Sequence, residues 1–163
     1  IMQAKFHMNA KNIQLLNGNI DTRIKKLNDG MYDCIILAEA GLSRLSSLLE
    51  KQNYKQLEHI TCSGQGVLAV QWKEGSKVED FIKSSLLFDQ MKELNEQIKM
   101  ERNLLKKLNA DCNSAISIFA SNGFLQGEIF GRDKFITFSG NNVDQLYKDI
   151  TANNGLNLLN EHH

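Results

Sequence analysis

Apolar and polar residues alternate along the first third of the chain in a way that predicts strands and helices in turn. The apolar segments 13–16 and 34–38 predict strands, and the second is typical of a strand buried on both faces of a sheet. Residues 20–28 and 41–54 carry apolar side chains at helical spacing. This alternation of strand and helix predicts a parallel or mixed sheet of the α/β class.

The middle of the chain combines strands, a polar linker and one long helix. Residues 59–72 predict one or two strands around a Gly-Gln-Gly turn, and the polar residues 73–77 mark a domain boundary. Residues 78–108 predict a helix with an apolar stripe made of Leu87, Met91, Leu94, Ile98, Leu105 and Leu108. The stripe suits either a partner helix or a small domain of its own. The second interpretation is favoured, because Glu101 falls on the stripe and the pattern lasts only about three heptads.

The last third of the chain alternates in the manner of antiparallel strands joined by short turns. The predicted strands cover residues 115–120, 124–130 and 134–140. A final helix is predicted over residues 142–153, with Gly155 as its stop signal.

Composition and charge exclude several classes of protein. The chain has 163 residues, of which 42% are hydrophobic and 23% charged, so it can bury a core. Its 19 basic residues equal its 19 acidic residues, which argues against a nucleic-acid-binding module. No apolar segment approaches the roughly 18 residues that span a bilayer, so no membrane partner is expected.

The cysteines and histidines suggest neither a disulfide framework nor a metal site. Cys34, Cys62 and Cys112 are odd in number and widely spaced, which favours a reducing compartment. The four histidines form no cluster, and no metal is expected. Cys34 lies in an apolar segment and is expected to be an inert core residue. Cys112 alone lies on a polar turn, directly after Asp111.

Two glycine turns followed by arginines are candidate anion-binding sites. Residues 17–19 precede a predicted helix that carries Arg23, and residues 40–41 lead into a helix with Arg44 near its start. Backbone N–H groups, a helix dipole and a guanidinium together suit a carboxylate. Both turns follow predicted strands and are expected at one edge of the sheet. Ordinary strand-to-helix loops remain the alternative.

Three ordered motifs resemble one known family. Residues 15–45 read LLNGNIDTRIKKLNDGMYDCIILAEAGLSRL, residues 64–71 read GQGVLAVQ, and residues 101–112 read ERNLLKKLNADC. Together they resemble the hydroxymethylbilane synthases, also called porphobilinogen deaminases, and the resemblance extends over essentially the whole chain.

The resemblance implies a fold and a division into domains. The fold class would be α/β: the second half of a periplasmic-binding-protein-like domain, followed by a small α+β domain with an antiparallel sheet. Residues 1–58 would form the later part of domain 2, and residues 59–76 a strand and hinge that return to domain 1. Residues 77–163 would form domain 3, which carries the cofactor-attachment cysteine.

The resemblance also implies an activity in haem and porphyrin biosynthesis. Such a transferase joins four porphobilinogen units head to tail onto a dipyrromethane primer, releasing ammonia and the linear tetrapyrrole hydroxymethylbilane. The primer would be held by a thioether bond to Cys112. A helix C-terminus gives this thiol no help toward thiolate, but an unactivated thiol can react once with a strong electrophile. The complete enzyme would be a monomer in the cytoplasm, or alternatively in a plastid-type or mitochondrial organelle.

Particular residues match family positions that contact the cofactor, the substrate or their carboxylates. By resemblance these cofactor- and substrate-binding residues are Arg23, Arg44, Gln65, Gly18, Asn19, Ala38, Gly41 and Arg102. The family's catalytic aspartate would lie upstream of Ile1. The chain is therefore expected to be a fragment that is inactive without an N-terminal part of the same enzyme.

Several positions depart from the family pattern, and two other functions stay open. The departures are Asn17 for an arginine, Ala110 and Asp111 for two glycines, Ala115 and Ser117 after the cysteine, and Gln71 for a glutamate. Asp111 is expected to stiffen the cysteine loop and add negative charge. The alternatives are a non-catalytic α/β module that binds a polycarboxylate, and a helical adaptor that uses the stripe in residues 87–108.

Overall fold

The structure, a computed structural model, describes residues 1–42, 53–84 and 87–162. The chain divides into two units, residues 1–58 and residues 59–163.

The described part of the first unit is built from three short helices. Helix α1 spans Met2–Met8, α2 spans Ile20–Asn28, and α3 spans Glu39–Leu42. Helix α2 follows its sequence signals, with Asp21 in its first turn and two lysines in its last turn, where each charge complements the helix dipole. Its side chain Ile24 is buried.

The strands predicted at 13–16 and 34–38 are not formed among the described residues. Both segments run without a strand partner, and their apolar side chains are exposed, with Leu15 at 81% and Ile36 at 56%. Cys34 is also exposed, so its assignment to a core was wrong. The physical reason is that a strand becomes buried only beside neighbouring strands. Its backbone N–H and C=O groups need partners on those strands, and its apolar side chains need other elements to cover them. The parallel sheet and the likeness to periplasmic binding proteins therefore stay predictions.

The second unit contains a three-stranded antiparallel sheet. Two helices, α4 at Lys77–Ser84 and α5 at Leu87–Lys107, precede the strands β1 at Ile116–Ser121, β2 at Phe124–Phe130 and β3 at Phe135–Gly140. The strand order is β1-β2-β3, and Ile118 lies opposite Gly127, which lies opposite Phe138. These strands confirm the sequence prediction to within one residue. The strands predicted in residues 59–72 are not formed, since those residues make a turn at 63–66 and no regular secondary structure on either side of it.

The core of the second unit lies between one face of the sheet and the helices. The sheet contributes Ile118, Leu125 and Ile129, while α5 contributes Leu104, and Leu108 follows directly after the end of that helix. The C-terminal end of the apolar stripe therefore packs on its own unit, whereas Leu94, nearer the N-terminus of the helix, is exposed. Within the described ranges, no helix is both long enough and apolar enough to cross a membrane.

Two C-terminal helices complete this core. Helix α6 spans Val143–Ala152. Its N-cap residue is Asn142, whose side chain accepts a hydrogen bond from Gln145 N–H. Helix α7 spans Gly155–Asn160. Gly155 was expected to stop the preceding helix, but it begins the next one, and the left-handed Asn154 separates the two helices. A Cβ at Gly155 would lie 2.5 Å from Ile150 Cγ2, so close packing requires glycine here.

Candidate functional site

The loop before α2 is held by cationic side chains of that helix. Arg23 Nε donates a hydrogen bond to Gly18 O at 2.6 Å, and Lys26 Nζ donates to Asn17 O at 3.0 Å. Gly18 has a φ of +114°, a conformation that disfavours other residues. Since Nε is engaged, the two Nη groups of Arg23 are the ones suited to hold a carboxylate side by side.

The first turn of α2 adds backbone donors to this loop. Asn19 is the N-cap residue and makes no side-chain capping hydrogen bond, so the first N–H groups of the helix are not used by that side chain. These groups lie at the positive end of the helix dipole. The loop thus combines backbone N–H groups and a guanidinium, a set of donors that suits a carboxylate.

The second predicted glycine turn lies beside the start of α2. Gly41 N–H donates to Ala38 O at 3.1 Å. A Cβ at Gly41 would lie 2.6 Å from Ile20 Cδ1, so the turn packs directly on the first residue of α2. The two loops singled out from the sequence therefore adjoin each other, although they lie on no sheet edge formed by the described residues of this unit. Arg44 lies outside the described residues.

The Gly-Gln-Gly turn in the second unit presents Gln65 to solvent. Gln65 N–H donates to Cys62 O and Val67 N–H donates to Gly64 O, both at 3.1 Å. The flanking glycines have φ values of +68° and +82°, which explains why both positions are glycine. A Cβ at Gly64 would lie 3.7 Å from Arg102 Nη2. The structure therefore brings two predicted site residues, Gln65 and Arg102, to one turn.

Sequence reasoning missed the residue that holds this turn. Glu101 is only 2% exposed, and its Oε2 accepts hydrogen bonds from Ser63 Oγ and Gly64 N–H, each at 2.9 Å. Its Oε1 accepts from Ala120 N–H of β1, also at 2.9 Å. The signal that could have found Glu101 was its position as a carboxylate on an apolar helix face, because a buried charge needs several hydrogen-bond partners. From the sequence alone, Glu101 was interpreted only as an interruption of the apolar stripe.

Cys112 lies within a hydrogen-bonded turn that directly follows the end of α5. Helix α5 ends in a Schellman motif, in which Ala110 N–H donates to Leu105 O and Asn109, at a φ of +54°, donates to Lys106 O. Asp111 Oδ1 then accepts from the N–H groups of Asn113 and Ser114, at 2.9 and 3.0 Å.

Asp111 makes further hydrogen bonds within this turn, of the kind that would stiffen the cysteine loop. Ser114 Oγ also donates to Asp111 Oδ1 at 3.0 Å, while Asp111 N–H donates to Ser114 Oγ at 2.9 Å. The Cys112 side chain is exposed on this turn. Exposure alone does not single it out, because Cys34 and Cys62 are exposed as well.

Lys107, the lysine nearest to Cys112 in sequence, forms an ion pair with α6. Lys107 Nζ lies 2.7 Å from Asp144 Oδ1 and joins the end of α5 to the start of α6. The hydrogen bond from Lys107, together with its positive charge, lowers the pKa of the Asp144 carboxyl below its ordinary value of 3.8. Lys107 thus contributes to the packing of two helices.

Comparison with known proteins identifies one family. A sequence model of the family described as "Porphobilinogen deaminase, dipyromethane cofactor binding domain" matches residues 1–80. This range includes the Arg23 loop and the Gly-Gln-Gly turn but not Cys112.

Individual relatives extend the similarity to the rest of the chain. A porphobilinogen deaminase of Clostridium perfringens is 31% identical over 160 residues, which cover 96% of this chain and 51% of the relative. One from Streptococcus sanguinis is 42% identical over 109 residues, covering 64% of this chain and 35% of the relative. A probable porphobilinogen deaminase of Methanocaldococcus jannaschii is 40% identical over 100 residues, covering 61% and 30%. The chain thus spans about half the length of these relatives, or less.

Proposed function

Since this chain belongs to the porphobilinogen deaminase family, we propose that it contributes to an enzyme that builds hydroxymethylbilane from four porphobilinogen molecules with release of ammonia. The observation that carries the proposal is the similarity to a porphobilinogen deaminase over 96% of the chain. Because the chain spans only part of its relatives, the proposed activity is that of a protein that contains the remaining family sequence as well.

Cys112 is the proposed attachment point of the dipyrromethane cofactor. Its exposed thiol lies on a turn fixed by Asp111 and by the Schellman motif, so a bound group would have a firm anchor and room outside the protein. When bound, the cofactor supplies the pyrrole carbon to which the first substrate is joined. The thiol need react only once with a strong electrophile, which an unactivated thiol can do.

The proposed roles of the other residues follow from the charge of the ligand. Each pyrrole of porphobilinogen and of the cofactor carries two carboxylates. Arg23 offers its two Nη groups beside the backbone donors of Gly18 and Asn19, and Arg44 is proposed to act in the same way. Ala38 and Gly41 would line this site through their backbone.

In the second unit, Gln65 and Arg102 offer amide and guanidinium donors at the Gly-Gln-Gly turn. The charged guanidinium suits a carboxylate, whereas the amide can donate through its NH₂ group to a carboxylate or accept a pyrrole N–H through its oxygen. The described donors therefore fit a polycarboxylate ligand in each unit taken separately.

The proposal is tested by combining the chain with the family sequence that it does not span, either as one polypeptide or as two co-expressed pieces. The combined protein should consume porphobilinogen, release ammonia and form hydroxymethylbilane. Peptide mass spectrometry should find the mass of a dipyrromethane on the peptide that contains Cys112. The chain assayed alone should show no steady formation of tetrapyrrole.

Two outcomes would contradict this proposal. Steady turnover by the chain alone would show that the family sequence beyond it is not required. A combined protein that is folded and binds a dipyrromethane without consuming porphobilinogen would instead favour the non-catalytic module that binds a polycarboxylate.

A further inference from the structure

Glu101 occupies a place that a neighbouring strand would normally fill. Along the outer edge of β1, Ile118 N–H donates to Thr61 O at 2.9 Å, and the next outward N–H, that of Ala120, donates to Glu101 Oε1. The carboxylate thus acts as the acceptor that a strand carbonyl would provide. Its other oxygen accepts from the Ser63–Gly64 segment. One side chain therefore joins β1, α5 and the Gly-Gln-Gly turn.

A carboxylate is an unfavourable choice for this position if stability alone is considered. The surroundings of Glu101 on α5 are apolar, with Leu104 buried on the same helix and Leu108 buried directly after its end. Burying a charge carries a desolvation cost that hydrogen bonds only partly offset, and an apolar residue of similar volume is often at least as stabilising. Glu101 accepts hydrogen bonds from three donors and so fixes their positions relative to one another, which a leucine at this position would not do.

That geometry bears on the proposed site. The turn held by Glu101 exposes Gln65, and the next residue on the helix, Arg102, places its guanidinium beside Gly64. The same helix continues through the buried Leu104 and ends at Lys107, and the buried Leu108 then leads to the turn that carries Cys112. The contacts of Glu101 thus link the Gln65 turn and the cysteine turn within one unit.

We propose that Glu101 is a positioning residue, which holds the Gln65 turn in place relative to the helix that carries Arg102 and leads to Cys112. The inference rests on the proposed function as far as substrate binding is concerned. The hydrogen-bonded link itself does not depend on that function.

The test uses Glu101→Gln in the combined protein. Glutamine offers one acceptor oxygen and one NH₂ donor, so it cannot accept from both Ala120 and the Ser63–Gly64 segment. Amide hydrogen exchange at Gly64 or Ala120 should become about tenfold faster, corresponding to the loss of one hydrogen bond to a charged group. The KM for porphobilinogen should also rise about tenfold, because Gln65 and Arg102 are displaced from each other.

Two control variants separate positioning from general destabilisation. Glu96→Gln removes a carboxylate from an exposed position of the same helix, where it pairs with Lys99, and should change neither quantity. Leu105→Ala removes part of the packing of α5 on the core and lowers the Tm without touching the carboxylate. It should leave the KM unchanged when assayed well below its own Tm.

Each outcome decides a different part of the inference. Unchanged exchange at both Gly64 and Ala120 in Glu101→Gln would overturn the hydrogen-bonded link. Faster exchange with a KM no higher than that of Leu105→Ala would overturn the positioning role and leave Glu101 a purely structural residue. If the unsubstituted combined protein does not consume porphobilinogen, the proposed function and the positioning role both fail, and exchange alone still decides the link.

Discussion

Two apolar segments of similar appearance behave differently in the two units. Residues 34–38, CIILA, and residues 115–120, AISIFA, both predict strands from their sequence. Only the second forms one, as part of β1, where Ile118 is buried at 1% exposure. In the first segment Ile36 remains 56% exposed.

The difference lies in the availability of a partner strand. Strand β1 is followed after two residues by β2, and the turn between them, Asn122-Gly123, has positive φ at both positions as a tight hairpin requires. A hairpin thus supplies the hydrogen-bond partner from the adjacent sequence. A parallel strand needs a partner that is distant along the chain. Apolar composition shows that a segment can be buried, whereas neighbouring strands determine whether it is.

The largest expected effect distinguishes the exposed cysteines of the two units. In the combined protein, Cys112→Ser should give a folded protein without cofactor or activity, because a serine hydroxyl is a far weaker nucleophile than a thiol. Cys34→Ala in the first unit and Cys62→Ala should keep both. Intact and peptide mass spectrometry of the three variants provides the measurement. A dipyrromethane on Cys34 or Cys62, or full activity in Cys112→Ser, would disprove the assignment.

A second prediction compares buried and exposed apolar side chains. Leu125 in β2 is fully buried, so Leu125→Ala should reduce the free energy of unfolding of the second unit by about 2–5 kcal/mol. Ile36→Ala in the first unit should cost less than about 0.5 kcal/mol, as expected at an exposed position. Urea unfolding followed by circular dichroism measures both. A large cost for Ile36→Ala would mean that residues 34–38 are packed in solution.

The fold was predictable from sequence where structure is local. The hairpins, α2 and most of α5 follow from turn residues, capping positions and apolar spacing within about 20 residues. The sequence could not show that residues 13–16 and 34–38 would stay unpaired, because pairing depends on distant contacts. Nor could it show that Asn154 rather than Gly155 separates the last helices, since both residues can adopt the left-handed conformation.

A third prediction concerns the guanidinium of the first unit. A lysine at position 23 offers one ammonium, which cannot both hold Gly18 O and grip a carboxylate at two points. Arg23→Lys in the combined protein should therefore weaken substrate or cofactor binding by about 1–3 kcal/mol. Lys26→Gln removes only the hydrogen bond to Asn17 O and serves as the control. A normal KM and kcat in Arg23→Lys would exclude Arg23 from the site.

The candidate site was predictable only in part, for a related reason. Glycine turns and arginines are local signals, and the structure does place Gly41 beside α2 and Arg102 beside Gly64. The role of Glu101 depends on donors from residues 63, 64 and 120, which lie 19 to 38 positions away. A charged residue on an apolar helix face indicates that such partners exist, but it does not identify them.

The smallest expected effect concerns the ion pair between Lys107 and Asp144, which joins two helices of the second unit. Because Lys107 lowers the pKa of Asp144 in the folded protein, the pair stabilises the fold when the carboxyl is ionised. This contribution is present above the ordinary pKa of 3.8 and is lost as the pH falls through the lower folded value. Lys107→Gln should therefore lower the Tm slightly at neutral pH, and the difference from the unsubstituted chain should shrink in acid.

Thermal unfolding of the 163-residue chain across this pH range provides the measurement. Lys106→Gln, at the neighbouring exposed position, removes one positive charge without removing the ion pair and serves as the control. It should not reproduce the acid-dependent difference, since its charge lies outside the contact that lowers the pKa of Asp144. If Lys107→Gln and Lys106→Gln show the same dependence on pH, overall charge rather than the contact between α5 and α6 accounts for the effect.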